Sequence, residues 1–234
     1  MYIFTILWLT GLVITINTVA SVARDFSSSD TQEEVYPLAQ PAGNKIYINV
    51  SNSEPGGTHY YSKWYNEWND NDNDGFRILS NDSLWLNDVR VKIAQSPDSL
   101  FHIYKIRISR GKTAEQAREL AGNVNFNISQ YDSTITLPRG FTISKTDKFR
   151  NQHVRVVVEV PLGKTIQLDK NIKRYEWLDI HVSGRHHGRY YSRHRKTRMH
   201  YWKNKEYVMT PDGLKNVEDS AIEENEDRSW DDEN

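Results

Sequence analysis

Residues 101–137 read FHIYKIRISRGKTAEQARELAGNVNFNISQYDSTITL, and the period of their apolar positions changes twice. Between 101 and 110 the period is two, with Ile103, Lys105 and Arg107 on one side and Tyr104, Ile106 and Ile108 on the other, which predicts a strand. Thr113 then stands as an N-cap with Gln116 at N3, and Ala114, Ala117, Leu120 and Ala121 line one stripe at helical spacing until Gly122. Strands are expected again at 125–130 and 134–137. Working outward, the same short β-type runs recur at 45–50, 76–79, 83–86, 89–93, 153–160 and 165–168. Asn-Asp and Ser-Pro-Asp pairs or triplets, Pro138-Arg139-Gly140 and Pro161-Leu162-Gly163 supply turn chemistry between or after them. Many short strands with one brief helix predict a mainly β chain, an elongated sheet stack or solenoid, with a β-sandwich as the alternative.

The chain has 234 residues, 37% hydrophobic and 26% charged, the composition of one soluble domain with tails. Thirty Lys and Arg against 31 Asp and Glu leave a net charge of -1, so there is no bulk signature of a nucleic-acid binder. The absence of cysteine excludes disulfides, thiolate nucleophiles and Cys-ligated zinc. From Tyr2 to Ala23 no residue is charged, and about 20 such residues cross a bilayer core as a helix. A cleaved signal peptide is the competing reading, with small Ser21 and Ala23 before Arg24. The length of the run and the lack of Lys or Arg before it favour a retained span. Arg24 is the only basic residue before Lys45, while Asp30, Glu33 and Glu34 intervene, which places the following domain outside the cytoplasm. The missing charged flank before Tyr2 is the pattern expected of a chain whose membrane region continues upstream.

The organisation expected is a transmembrane helix at 1–24, a linker at 25–44, a β domain at 45–184, a basic loop and closing segment at 185–215, and an acidic disordered tail at 216–234. Two segments carry candidate chemistry. Asp70, Asp72 and Asp74, followed by Gly75, spell the opening of a calcium loop, yet the twelfth position is Asn81 rather than Glu and no helices flank it, which favours a solvated acidic turn. The 185–205 stretch interleaves Arg185, Arg189, Arg193, Arg195 and Arg198 with Tyr190, Tyr191 and Trp202, residues suited to anions, lipid headgroups or a protein partner. Nucleic acid is not expected there if the segment is extracytoplasmic. Five histidines between 181 and 200 lack metalloenzyme spacing, and neither a nucleophile elbow nor a phosphate loop occurs. No enzyme activity and no cofactor are expected.

The stretch from 108 to 169, with ISRGKTAEQARELAGNVNFNIS and then STITLPRGFTISKTDKFRNQHVRVVVEVPLGKTIQLD, resembles the C-terminal part of bacteroidete phage shock protein C (PspC) domain proteins. Their helix leads into a K-F-R-x-Q-x-V strand and a V-P-x-G-K turn, matched here at 148–154 and 160–164. Residues 1–26, Trp177 to Asp179 and YVMTPDGL at 207–214 are similar to further parts of that family. The resemblance runs from residue 1 to about 215. It implies a β-solenoid-like "toast-rack" domain, related to LiaF-type and adhesin-head domains, and it does not imply catalysis. The small cytoplasmic domain that gives the family its name has no counterpart. The expectation is thus a non-enzymatic protein anchored by a single span in the inner membrane, with a periplasmic domain that senses envelope stress, docks a protein or self-associates. The alternative is an adhesin-like binder that takes a ligand or metal through the basic loop or the Asp-rich turn.

Overall fold

In a computed structural model of the chain, the residues described are 2–51, 58–61, 75–79, 82–169, 177–180 and 206–217. Helix α1, Tyr2–Asp25, leads into three sheets. Strands β1 (Ser28–Val35), β6 (Val89–Gln95), β7 (His102–Gly111), β11 (His153–Val160) and β13 (Trp177–Ile180) form the first, in the order β1-β7-β11-β6-β13. The second contains β2 (Lys45–Val50), β8 (Ser129–Tyr131), β9 (Thr134–Leu137), β12 (Thr165–Leu168), β14 (Glu206–Thr210) and β15 (Gly213–Asn216), ordered β15-β14-β12-β2-β9-β8. The third, β10-β5-β4-β3, joins β3 (Thr58–Tyr61), β4 (Gly75–Ile78), β5 (Ser83–Leu86) and β10 (Phe141–Ser144).

Parallel pairing lies at the heart of both larger sheets. Strand β6 runs parallel to β11 and to β13, and β2 runs parallel to β12 and to β9. Strands that bury one face need apolar residues at every second position, and the sequence supplies them. Ile46, Ile48 and Val50 of β2, Val89, Val91 and Ile93 of β6, and Val154, Val156, Val158 and Val160 of β11 all point into one core. Ile135, Leu137, Ile166, Leu168, Phe141 and Ile143 join them, so a single apolar cluster connects the three sheets. At about 25 cal/mol per Å² of apolar surface removed from water, this burial is the main force holding the sheets together.

Helix α2 (Ala114–Gly122) forms as the capping pattern predicts. The Thr113 hydroxyl accepts the Gln116 N–H at 3.2 Å, and the Gln116 side chain in turn accepts the Lys112 N–H at 2.9 Å. Its buried stripe, Ala117 and Ala121, packs on β7 and β1. The helix lies so close that a Cβ on Gly111 would come within 2.8 Å of the Ala117 nitrogen, so a side chain there would push the helix off the sheet. In the V-P-x-G-K segment the Lys164 N–H bonds the Pro161 carbonyl at 3.1 Å and Gly163 takes φ +74°, the left-handed third position of a tight turn that favours glycine.

Three regions differ from the expectations. The 25–44 segment, expected as a linker, contains β1, which pairs antiparallel with β7 from Ser28↔Gly111 to Val35↔Tyr104. Its sequence hides this because an edge strand with little buried surface needs no apolar alternation. Residues 125–130 hold one isolated bridge, Asn125↔Thr142, and become a strand only at Ser129, because Val124 and Phe126 anchor the chain in the core instead of pairing it. Within K-F-R-x-Q-x-V, strand β11 starts at His153, and 148–152 is a folded loop.

Candidate functional site

The site with the most specific geometry is the junction between α1 and the sheets. Helix α1 has 24 residues, none of them buried, and a length of about 36 Å at 1.5 Å per residue. By length and composition it passes as a membrane span. Four of its polar side chains are satisfied within the helix. The hydroxyls of Thr10, Thr15 and Thr18 and the amide of Asn17 each donate to the carbonyl four residues back, at 2.8 to 2.9 Å, as a polar group in a bilayer must.

At the end of the helix the Phe26 and Ser27 N–H groups bond the carbonyls of Ala23 and Arg24, and β1 begins at the next residue. Two residues therefore separate α1 from a strand of the first sheet. Asp25 closes the junction. Its carboxylate meets the Arg150 guanidinium at 2.8 Å and the Lys112 ammonium at 3.5 Å, and both Asp25 and Arg150 are largely shielded. The Arg150 guanidinium also stacks over the Phe26 ring, 5.5 Å from its centre, a cation–π contact. Arg110 donates to the Phe26 carbonyl at 3.3 Å, and the Ser27 hydroxyl bonds the Lys112 carbonyl at 3.2 Å.

Arg150 is aimed by the loop that carries it. Gln152, 2% exposed, accepts the Arg150 N–H at 2.6 Å and donates to the Lys148 carbonyl at 2.9 Å. Lys148 and Asn151 take positive φ, +56° and +54°, and the loop 148–152 folds around that buried amide. The Arg110 N–H bonds the Arg150 carbonyl at 2.8 Å and ties the loop to β7. Further along, Asp30 of β1 meets Arg118 of α2 at 2.9 Å, and Glu34 meets Lys105 at 2.9 Å and Arg107 at 3.3 Å on β7. The junction and β1 are thus fastened to the first sheet mainly by charge and backbone pairing.

The family model for the toast-rack found in some PspC proteins matches residues 76–215, well over half the chain, from within β4 to within β15. The chain belongs to that family. No curated protein and no solved structure matches it. The match to the toast-rack domain starts later than the sequence resemblance and leaves α1, β1, β2 and β3 outside, although β2 sits in the middle of the second sheet and β1 edges the first.

The residues singled out from the sequence, Asp70, Asp72 and Asp74 and the set Arg185, Arg189, Tyr190, Tyr191, Arg193, Arg195, Arg198 and Trp202, lie outside the described residues. Among the described residues, no group of three His, Asp or Glu side chains is placed to hold a metal. A shallow groove of about 180 Å³, lined by Tyr47, Asn49, Thr134, Gln167 and Asp169, opens on the second sheet. That is smaller than the roughly 300 Å³ at which small-molecule sites begin.

One cluster brings Ser, His and Asp together, in the turn between β6 and β7. Asp98 accepts the Leu100 N–H at 2.7 Å and lies 3.2 Å from the Ser96 hydroxyl and 2.9 Å from His102 Nε2. The Leu100 N–H, then the His102 ring, hold the Asp98 carboxyl below its usual range. The carboxylate here stands between hydroxyl and imidazole, whereas nucleophilic catalysis requires the imidazole in the middle. The cluster locks a turn. The junction residues escaped the sequence reading because Asp25 and Arg150 are 125 positions apart. The one signal was the K-F-R motif, whose Arg is the residue that makes the contact.

Proposed function

We propose that the chain is a non-enzymatic, membrane-anchored envelope protein whose toast-rack domain lies outside the cytoplasm and works as a sensing or protein-docking module. The observation that carries this reading is the two-residue passage from α1 to β1, closed by Asp25, Arg150 and Lys112, which fixes the domain to the end of an apolar helix. A flexible tether would merely keep a domain near a membrane, whereas a fastened one keeps a chosen face toward it. Membership of the PspC toast-rack family supports an envelope role. The parallel pairing of β2, β9 and β12 and of β6, β11 and β13 supports a solenoid-like stacking, whose flat faces and strand edges suit contact with a protein or a second copy.

The test is protease treatment of intact spheroplasts carrying the protein with a C-terminal tag, followed by membrane fractionation. Loss of the tag to external protease, with the N-terminal fragment in the membrane pellet, is the expected result. A tag protected until the spheroplasts are lysed overturns the extracytoplasmic placement, and protein recovered in the soluble fraction overturns the anchor.

A further inference from the structure

We propose that the face of the domain around the end of α1 binds anionic lipid headgroups, through Arg24, Arg110, Lys112 and Lys148 with Phe149 set into the interface. The proposal rests on α1 being a span. About 20 residues of helix fill the hydrocarbon core, so with Tyr2 to Ala23 inside it Arg24 and Asp25 arrive at headgroup level. Phe26 and Ser27 follow, and whatever touches these residues stands at the same level.

The contacts fix what that is. Arg110 reaches the Phe26 carbonyl, Lys112 reaches Asp25 and Ser27, and Arg150 reaches Asp25 and Phe26. Arg150 is 16% exposed and engaged with Asp25, so its part is to hold the loop in place. Lys148 and Phe149, just before it, are thereby presented beside the helix end. Arg24, Arg110, Lys112 and Lys148 are all exposed, and the Phe149 ring is 51% exposed. Glu115 and Asp147, which neighbour the cluster in the chain, and Asp25, already occupied, are the carboxylates that offset these cations. The cations outnumber them. A cluster of Lys and Arg at the surface attracts anionic headgroups, and an aromatic ring between them matches the amphipathic layer where water gives way to hydrocarbon. None of these cations but Arg24 is near the helix in sequence; the fold collects them there.

The chain has no cysteine, so single nitroxide labels can be placed in the full-length protein reconstituted in bilayers of phosphatidylcholine alone or mixed with phosphatidylglycerol. Labels would replace Phe149 (F149C), Val13 (V13C, in the span) and Tyr131 (Y131C, 87% exposed), and each would be read by its accessibility to oxygen against a water-soluble nickel complex. The expected result is oxygen-favoured accessibility at 13 in both bilayers, nickel-favoured accessibility at 131, and at 149 a shift toward oxygen that grows with phosphatidylglycerol. Neutralising Lys112→Gln and Lys148→Gln should weaken that contact by about fivefold per lysine. Raising salt from about 0.1 M to about 1 M, which shortens the screening length from about 10 to about 3 Å, should do the same to the unsubstituted face. A label at 149 that reads like 131 in phosphatidylglycerol while 13 reads as hydrocarbon overturns the lipid face and leaves the anchor standing. A shift at 149 that ignores phosphatidylglycerol, salt and both lysines overturns headgroup recognition. Nickel-favoured accessibility at 13 removes the span, and the lipid face with it.

Discussion

Strands β1 and β2 follow one another in the chain, both precede the segment that matches the PspC toast-rack, and they are held by opposite means. Strand β2 is central, between β9 and β12, and buries Ile46, Ile48 and Val50 at 1% exposure each. Strand β1 is an edge, with no residue buried, and is fastened by its register on β7 and by Asp30 and Glu34. A domain can therefore recruit neighbouring strands through burial at its centre and through charge at its rim. The rim is where the apolar helix α1 enters.

The comparison breaks most sharply at Ile48. Ile48→Ala removes apolar volume from a fully buried position and should cost about 2–5 kcal/mol, read as a lowered denaturant midpoint of the detergent-solubilised chain. On β1, Glu34→Ala should cost less, about 1–2 kcal/mol. Its own side chain is half-exposed, but it leaves Lys105 and Arg107, each 13% exposed, without their carboxylate. Glu34→Gln, which keeps an acceptor, should recover part of the loss in the same measurement.

The smallest effect concerns the polar anchor of β2. Lys45 bonds Glu206 of β14 at 2.5 Å, and this hydrogen bond holds the Glu206 carboxyl below its usual range. The pair's stabilisation is complete above the unfolded carboxyl value of 4.5 and is lost as pH falls through the lower folded value. With Glu206 35% exposed, it amounts to less than about 1 kcal/mol. Unfolding midpoints measured from about pH 6 down to about pH 3 should fall less steeply in Glu206→Gln than in the unsubstituted chain.

The same contrast explains what could be read from the sequence. KIYINV announces β2 because burial on one face imposes alternation, and β5, β9, β11 and β12 fall on the predicted residues for the same reason. The Thr113 cap and the alanine stripe announce α2 because helix ends and helix faces are local. SSDTQEEV conceals β1, since partners such as Arg110, 81 positions after Ser29, and Lys105, 71 positions after Glu34, decide its pairing and its own residues need only be polar. The junction is still less visible. Its parts, Asp25, Arg110, Lys112 and Arg150, come from three separate stretches, and their common position exists only after folding. The candidate residues at 70–74 and 185–202 were legible as composition, which specifies charge and leaves placement open.

The central seat of β2 also sets the order of assembly. Lys45 pairs with Thr165, 120 residues later in the chain, and β12 must in turn be covered by β14. At about 5–20 residues per second, ribosomal synthesis leaves β2 waiting roughly 6 to 24 seconds for β12. Until β9 emerges, with Thr134 made 87 residues after its partner Tyr47, both edges of this apolar strand are open, and one stays open until β12 follows, so the nascent chain is most vulnerable to mispairing before its last third has emerged.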